Sequence, residues 1–252
     1  MKTILYILTF LLSLIGTAQN ELLFEEGNTL YSNGKYSESI EKYEAIINSG
    51  YQSAEVYFNL GNAHYKLNRI APSIYYYEKA LLLAPGDKEI LNNLSFAQNM
   101  TIDAIETVPE IGISRFLRKA INTFSFDSWA YLSVSFMILF IILFLAYYFT
   151  SNSGKKRFTF VTSIVSIFFM LLFLTFAFKK QSIDNKDNPA IVFSKESVVR
   201  TDPNLSGGEA FRLHEGTKVQ VVDTLSNWSE ILLVDGKTGW IITENIKLLK
   251  KF

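Results

Sequence analysis

The hydrophobic pattern of the chain changes three times along its length. Apolar residues recur at helical spacing within residues 20–108, two almost uninterrupted apolar runs cover 128–150 and 158–178, and short alternating runs fill 190–250. Helical spacing predicts amphipathic helices, uncharged runs of about 20 residues predict membrane spans, and short alternating runs predict strands. The sequence therefore predicts a multidomain membrane protein with an all-α domain, a two-helix transmembrane hairpin and a small all-β barrel.

A repeat of 34 residues organises the first domain, because Gly27 and Tyr43 recur as Gly61 and Tyr77. This period is typical of stacked helix-turn-helix units. The copy at 54–87 has a Leu-Gly pair, large and small positions in its second helix and a final Pro, and so resembles the tetratricopeptide-repeat family. We divide the domain into repeats at 20–53 and 54–87 and a capping helix at 88–103. Gly34 and Asn68 fall in the turn between the helices of each repeat, where positive φ must be tolerated.

The resemblance implies a concave groove lined by four positions on the first helix of each repeat. Those positions hold Glu21, Phe24, Asn28, Tyr31, Glu55, Phe58, Asn62, Tyr65, Glu89, Asn92, Phe96 and Asn99. Rings supply contact area and amides bond backbone, so an extended peptide or a helix of a partner protein is the expected ligand.

The three glutamates in this set recur at the repeat spacing and have two interpretations. Each falls in the first turn of a helix, where a carboxylate is favoured by the helix dipole. If the glutamates also face a ligand, that ligand is neutral to basic. Some family members bind carboxylate tails through a Lys-rich clamp, but Phe24 and Phe58 occupy the Lys position here.

The amino terminus has the layout of a secretory signal peptide over residues 1–18. Lys2 precedes an apolar run from Ile4 to Ile15, and small residues precede a cleavage point after Ala18. An uncleaved anchor is the alternative. Either arrangement places the following domain outside the cytoplasm.

The two apolar runs are separated by so short a loop that they must form a helical hairpin, which returns the chain to its starting side. Three basic residues lie in that loop and five lie on the other side, a count that argues weakly against an external first domain. We give more weight to the signal peptide, because the first apolar segment usually dominates orientation. The expected location is the inner (cytoplasmic) membrane, with both soluble domains on the periplasmic side.

Residues 112–126 place apolar residues on one helical face and basic residues beside it. This pattern is typical of a juxtamembrane helix lying on anionic headgroups, which would account for basic residues outside. The alternative is a further repeat helix packed on the stack, since the same periodicity fits it.

A polar linker at 181–189 precedes five β-like runs in residues 190–250, separated by turn signals such as Glu215-Gly216. Five short strands suit a small barrel. The segment resembles the bacterial SH3 family, most specifically at Gly239-Trp240. The resemblance implies contact with peptides or cell-wall components in some members and a holding role in others, and Trp228 and Trp240 fit core packing equally well.

Composition excludes several kinds of chemistry. The chain has no cysteine and only two histidines, and no phosphate loop, dinucleotide fingerprint or nucleophile elbow occurs. Residues 20–110 hold 13 acidic residues against 6 basic ones, and residues 190–252 hold 8 of each, which makes nucleic acid a poor partner. We therefore expect no metal, no cofactor and no catalytic residues.

The order of signal peptide, repeats, hairpin and SH3-like barrel resembles the Bat aerotolerance group. The resemblance implies an assembly factor or interaction scaffold that acts with von Willebrand A-domain membrane proteins and a MoxR-type ATPase, in oxidative-stress tolerance or envelope integrity. The alternative is an envelope sensor whose SH3-like domain binds cell-wall peptide or glycan.

Overall fold

A computed structural model describes residues 19–103, 105 and 112–250, so the expected signal peptide at 1–18 lies outside the described residues. The chain forms two compact units. One unit joins the amino-terminal helices to the carboxyl-terminal strands, and the other contains the apolar hairpin. The first unit is therefore discontinuous in sequence.

Five helices form the repeat domain. Helix α1 covers residues 19–32, and it is followed by α2 (Tyr36–Asn48), α3 (Ala54–Lys66), α4 (Ile70–Leu83) and α5 (Lys88–Gln98). Side chains cap the amino-terminal ends of α3 and α5. Ser53 accepts a hydrogen bond from the backbone of Glu55, and Asp87 accepts one from the backbone of Glu89. Such caps satisfy helix donors that have no intrahelical partner.

The predicted turn residues are confirmed, since Gly34 has a φ of 76° and Asn68 a φ of 55°.

The two repeat glycines allow the helices of each repeat to approach closely. A Cβ atom on Gly61 would lie 2.5 Å from the ring of Tyr77, and a Cβ on Gly27 would lie 2.5 Å from the ring of Tyr43. Both tyrosines are buried in the core of the stack. The same glycine–tyrosine packing contact therefore recurs every 34 residues.

The second unit contains α6 (Ile113–Ile121), α7 (Phe126–Phe149) and α8 (Ser153–Lys186). Both α7 and α8 are long and apolar enough to cross a membrane. They pack as a hairpin in which the Ser133 hydroxyl donates to the Met170 carbonyl and the Ser166 hydroxyl to the Phe136 carbonyl, at 3.0 and 2.8 Å.

The expected linker differs from the structure, because α8 continues through residues 181–186. Lys180 Nζ lies 2.8 Å from Asp184 Oδ1, one helical turn away. Such pairs stabilise exposed helix ends. The polar composition that suggested a linker is instead the water-exposed end of a helix.

Seven antiparallel strands form the carboxyl-terminal sheet in the order β3-β2-β6-β5-β4-β1-β7. They are β1 (Pro189–Val192), β2 (Glu196–Arg200), β3 (Glu209–His214), β4 (Lys218–Leu225), β5 (Trp228–Leu232), β6 (Thr238–Ile242) and β7 (Ile246–Leu248). Only five strands were predicted, because β3 buries little besides Leu213 and β7 has three residues. Neither strand contains the run of four or more alternating residues on which the prediction rests.

The sheet packs directly on α4, and apolar side chains of both domains share one core. Ile191 and Leu249 of the sheet are fully buried among the residues of the repeat core. The rings of Phe193 and Tyr75 meet edge to face, with centroids 5.5 Å apart. Gly216 fits closely against α4, because a Cβ there would lie 2.9 Å from Ile74 Cδ1.

Polar contacts accompany this shared core. The Asp103 carboxylate accepts hydrogen bonds from the His214 backbone at 2.7 Å, from His214 Nδ1 at 2.7 Å and from the Thr217 hydroxyl at 2.6 Å. Lys218 Nζ donates to Glu78 Oε2 at 2.7 Å, and Glu78 is itself buried. Repeats and barrel therefore form one continuous body.

Candidate functional site

The residues predicted to line the groove lie on α1, α3 and α5, the first helix of each repeat. None of them is buried: Phe24, Asn28, Tyr31, Phe58, Asn62 and Tyr65 are half-buried, and Glu21, Glu55, Glu89, Asn92, Phe96 and Asn99 are exposed. The half-buried aromatic rings pack against the repeat core and remain partly accessible. The set is thus available to a ligand without unfolding of the stack.

Eight of the twelve predicted side chains line two cavities. A cavity of about 450 Å³ is lined by Glu21, Phe24 and Glu55 together with Tyr51. A second, of about 340 Å³, is lined by Tyr31, Asn62, Tyr65, Glu89 and Phe96. Sequence reasoning missed Tyr51, because it lies in the connection between two repeats and outside the helical pattern.

A hydrogen-bond unit recurs at the repeat spacing beneath the groove. In the first copy Asn28 Oδ1 accepts from the Tyr43 hydroxyl at 2.7 Å and from Asn59 Nδ2 at 3.0 Å. In the second copy Asn62 Oδ1 accepts from the Tyr77 hydroxyl at 2.6 Å and from Asn93 Nδ2 at 2.9 Å.

This unit fixes the orientation of the two groove amides. Because Asn28 Oδ1 and Asn62 Oδ1 each accept two hydrogen bonds, their carbonyl capacity is filled. Their Nδ2 groups have no hydrogen-bond partner within the described part of the chain, and they remain as donors at the groove. Main-chain carbonyls of a bound segment are suitable acceptors for such donors.

The donors Asn59 and Asn93 were missed as functional residues. Their signal was nevertheless present, since Asn59 lies 34 positions before Asn93. They occupy helix positions next to the predicted groove set and act on it from one repeat further along the chain.

Burial keeps the tyrosines of these units protonated. It raises the pKa of Tyr43 to about 12, with a hydrogen bond from Asn59 opposing the shift. Burial likewise raises the pKa of Tyr77. Both hydroxyls therefore act as donors across the physiological pH range, which holds Asn28 and Asn62 in one orientation.

The groove is acidic at its exposed edge. Glu55 and Glu89 lie in the first turns of α3 and α5, as the helix-dipole interpretation expects. Within residues 19–103, 105 and 112–250, Glu21, Glu55 and Glu89 form no ion pair. Their charges are thus available to a basic ligand, and the two interpretations are compatible.

The barrel contains a cavity of about 340 Å³ next to α4. Tyr75 lines it from the repeat side, and Thr224, Ser229, Thr243 and Lys247 are among its lining residues on the barrel side.

The tryptophans of the barrel do not line this cavity. Trp228 and Trp240 are half-buried in adjacent strands, and Glu230 pairs with Trp240 across β5 and β6. Arg200 donates to the Gly207 carbonyl at 2.7 Å, which is a role in folding the β2–β3 connection.

The two histidines lie in separate environments. His64 is buried in α3 and stacks on Tyr76, with ring centroids 5.4 Å apart. Burial lowers the pKa of His64 to about 4, and the charges of Arg69 and Lys247 add to the shift. Among the described residues no group of three His, Asp or Glu side chains could hold a metal ion.

Comparison with protein families identifies both soluble domains. The bacterial SH3 domain matches residues 197–247, the TPR repeat matches residues 27–68, and the tetratricopeptide repeat matches residues 54–87. The last range coincides with the second repeat expected from the sequence. The comparison with curated proteins finds no matching relative. The chain therefore carries tetratricopeptide repeats, which typically serve protein–protein interaction and not catalysis, and a bacterial SH3 domain.

Proposed function

We propose that the protein is a membrane-anchored interaction scaffold whose repeat groove binds an extended, neutral or basic segment of a partner protein. The observation that carries the proposal is the repeated pair of amide donors at Asn28 and Asn62, held by the tyrosines beneath them. The amides would bond main-chain carbonyls, the aromatic rings would cover side chains, and the glutamates would attract basic residues.

The partners we propose are von Willebrand A-domain membrane proteins and a MoxR-type ATPase, in oxidative-stress tolerance or envelope integrity. Support comes from the domain order, which resembles that of BatE in the Bat aerotolerance group. A scaffold of this kind acts by contact, which agrees with the noncatalytic character of tetratricopeptide repeats.

We further propose that both soluble domains lie in the periplasm and that the anchor is the inner membrane. The support for this orientation is the signal-peptide pattern of residues 1–18.

The groove is tested by isolation of the crosslinked full-length protein from cells, with the von Willebrand A-domain proteins and the ATPase quantified. Phe58→Ala and Tyr65→Ala remove groove rings but also touch the repeat core, so the deciding variants are Phe96→Ala and Glu89→Lys, whose side chains are exposed. We expect recovery of the partner to fall by about tenfold, as for loss of roughly 1.4 kcal/mol at a central contact.

The matched control is Leu83→Ala, because Leu83 is equally apolar and exposed but lies on α4. It should leave recovery unchanged. Unchanged recovery with both Phe96→Ala and Glu89→Lys would rule out the groove as the binding surface, whereas recovery of other proteins in place of the expected ones would retain the groove and reject the Bat partners.

A second function, recognition of cell-wall peptide or glycan by the barrel, is favoured by its hydroxyl-lined cavity. Its test is cosedimentation of the full-length protein, in detergent, with purified cell wall. Thr224→Arg should fill the cavity and abolish binding, and Val222→Arg, an exposed change on the same strand but outside the cavity lining, should not. Equal binding by both variants and the unaltered protein would place any wall contact elsewhere.

A further inference from the structure

Helix α6 presents an apolar face that nothing within the described part of its unit covers. Ile113 and Phe116 are 77% and 72% exposed, and Leu117 and Phe124 are also exposed. Residues three and four apart share one face of a helix, so Ile113, Phe116 and Leu117 form a continuous stripe on α6, and Phe124 lies in the turn that follows it. Exposed apolar patches of this kind mark contact with a membrane or a protein.

The opposite side of the same helix is basic. Arg115 and Lys119 are exposed and four positions apart, and the first turn of α6 contains no acidic residue. A helix with an apolar stripe and a basic polar face suits the boundary between the acyl chains and the headgroups of a bilayer that contains anionic lipid.

Hydrogen bonds fix the end of α6 at the ends of the two apolar helices. Trp129 Nε1 in α7 donates to the Ile121 carbonyl at 2.9 Å, and Lys180 Nζ in α8 donates to Asn122 Oδ1 at 3.3 Å. Lys180 follows the last apolar residues of α8, and so marks the level at which that helix leaves the hydrocarbon. Aromatic and basic residues prefer this level of the bilayer.

The buried indole of Trp129 reinforces this attachment. Its ring centroid lies 5.0 Å from that of Phe124 and 5.1 Å from that of Phe176 in α8. The turn between α6 and α7 is therefore packed on the hairpin, and α6 is held where the candidate spans end.

We propose that residues 113–124 form a lipid-binding surface that lies on the membrane around the hairpin, with its apolar stripe among the acyl chains and Arg115 and Lys119 near anionic headgroups. The occupant is thus an anionic bilayer surface. The attachment would bind α6 to the membrane surface in addition to the two spans.

The absence of cysteine allows a direct test. Full-length Leu117→Cys and Arg115→Cys, on opposite sides of α6, are labelled with a nitroxide and placed in nanodiscs of phosphatidylcholine with or without phosphatidylglycerol. Accessibility to oxygen, which concentrates in the bilayer, is compared with accessibility to a water-soluble nickel chelate. At position 117 we expect the label to be more accessible to oxygen than to the nickel chelate, and at position 115 we expect the reverse.

Lipid charge is tested by Arg115→Ala/Lys119→Ala with the label at position 117. Each basic residue near an anionic surface adds roughly a fivefold preference, so removal of the pair should weaken docking by about 25-fold in discs with phosphatidylglycerol and leave docking to neutral discs unchanged. Equal nickel access at both label sites would overturn the proposal. Protection of position 117 from both reagents would overturn it in favour of coverage by protein, and an effect independent of phosphatidylglycerol would overturn the preference for anionic lipid.

Discussion

At the residue scale, His64 is a titratable side chain buried inside the repeat stack. Both ring nitrogens are buried without a hydrogen-bond partner in the part of the chain that the structure describes. A buried imidazole in this state is neutral, because a charged ring would lose its hydration and lie near Arg69 and Lys247.

This burial predicts acid sensitivity of the repeat–barrel unit. The pKa of His64 is about 4 when folded and 6.5 when unfolded, so the unfolded state binds more protons between these values and stability falls as the pH is lowered through that window. The loss should reach about 3 kcal/mol near pH 4, since one pKa unit corresponds to about 1.4 kcal/mol. It is measurable as the pH dependence of the denaturation midpoint of the full-length protein in detergent.

His64→Phe keeps a planar ring against Tyr76 and removes the titration. Its stability should be nearly constant from pH 6.5 to about 5, whereas the unaltered protein loses stability there. Asp103 does not contribute in this range, because its lowered pKa places its effect below 3.8. An identical pH slope in the variant would show that another group is responsible.

At the residue scale, a repeat converts sequence spacing into spatial spacing, so the resemblance to tetratricopeptide repeats predicts equivalent places for Asn28 and Asn62. The structure gives both the same pair of hydrogen bonds, and their place in a binding groove stays a prediction. The state of their amides could not be predicted, because it depends on Asn59 and Asn93 one helix further on. Asn59 and Asn93 reach these amides only because the repeats stack on one another, and the pattern of a single helix does not show that contact.

Among the elements, the connection after α5 is joined to the barrel by three hydrogen bonds that Asp103 accepts. Burial by itself would raise the pKa of Asp103, but hydrogen bonds from Thr217 and from the backbone and ring of His214 outweigh it and lower the pKa. The carboxylate therefore stays charged and joins the β3–β4 turn to the repeats.

Removal of this carboxylate should loosen the barrel from α4. Asp103→Ala leaves the His214 backbone donor and the Thr217 hydroxyl without their acceptor, at a cost of about 3 kcal/mol for hydrogen bonds to a charged group. Hydrogen exchange at residues 209–218, followed by mass spectrometry, should accelerate by roughly 100-fold. Glu244→Ala, an exposed change elsewhere in the barrel, is the control. Unaltered exchange in Asp103→Ala would mean that the apolar contacts alone hold the barrel.

The elements show where pattern reasoning stops. The repeat helices and five strands follow from periodicity, and the hairpin follows from two uninterrupted apolar runs. Each of these patterns belongs to one segment of the chain. The docking of the barrel on the repeats cannot be predicted from such patterns. The sequence identifies Ile191 only as a buried residue of a strand, but its side chain is buried in the core of the repeats. Gly216 is likewise predicted to be a turn glycine, and its φ of 88° agrees with that prediction. No sequence pattern predicts that it lies close to Ile74.

For the whole molecule, the shared core requires that the repeats and the barrel lie on the same side of any membrane that α7 and α8 cross. This requirement is independent of the basic-residue count, which favoured no side clearly. It holds for either absolute orientation.

Single cysteines at Gln52, Ser206 and Ser151 test this requirement, since all three positions are exposed and represent the repeats, the barrel and the hairpin loop. A membrane-impermeant thiol reagent applied to intact cells should give the same result at Gln52→Cys and Ser206→Cys, either labelling both or labelling neither. The result at Ser151→Cys should be the opposite of that result. Labelling of both domains, and not of the loop, would additionally support the periplasmic orientation. Different results at positions 52 and 206 would contradict a two-span topology.

The contact between Glu78 and Lys218 joins residues 140 positions apart, with the whole hairpin between them. At about 5–20 residues per second, the ribosome needs roughly 7–28 s to make that interval. Throughout this time the side of α4 that contacts the barrel is uncovered. If α7 and α8 cross a membrane, both must be inserted before the barrel can reach it. The repeat–barrel unit is thus completed last, after the whole hairpin has been made.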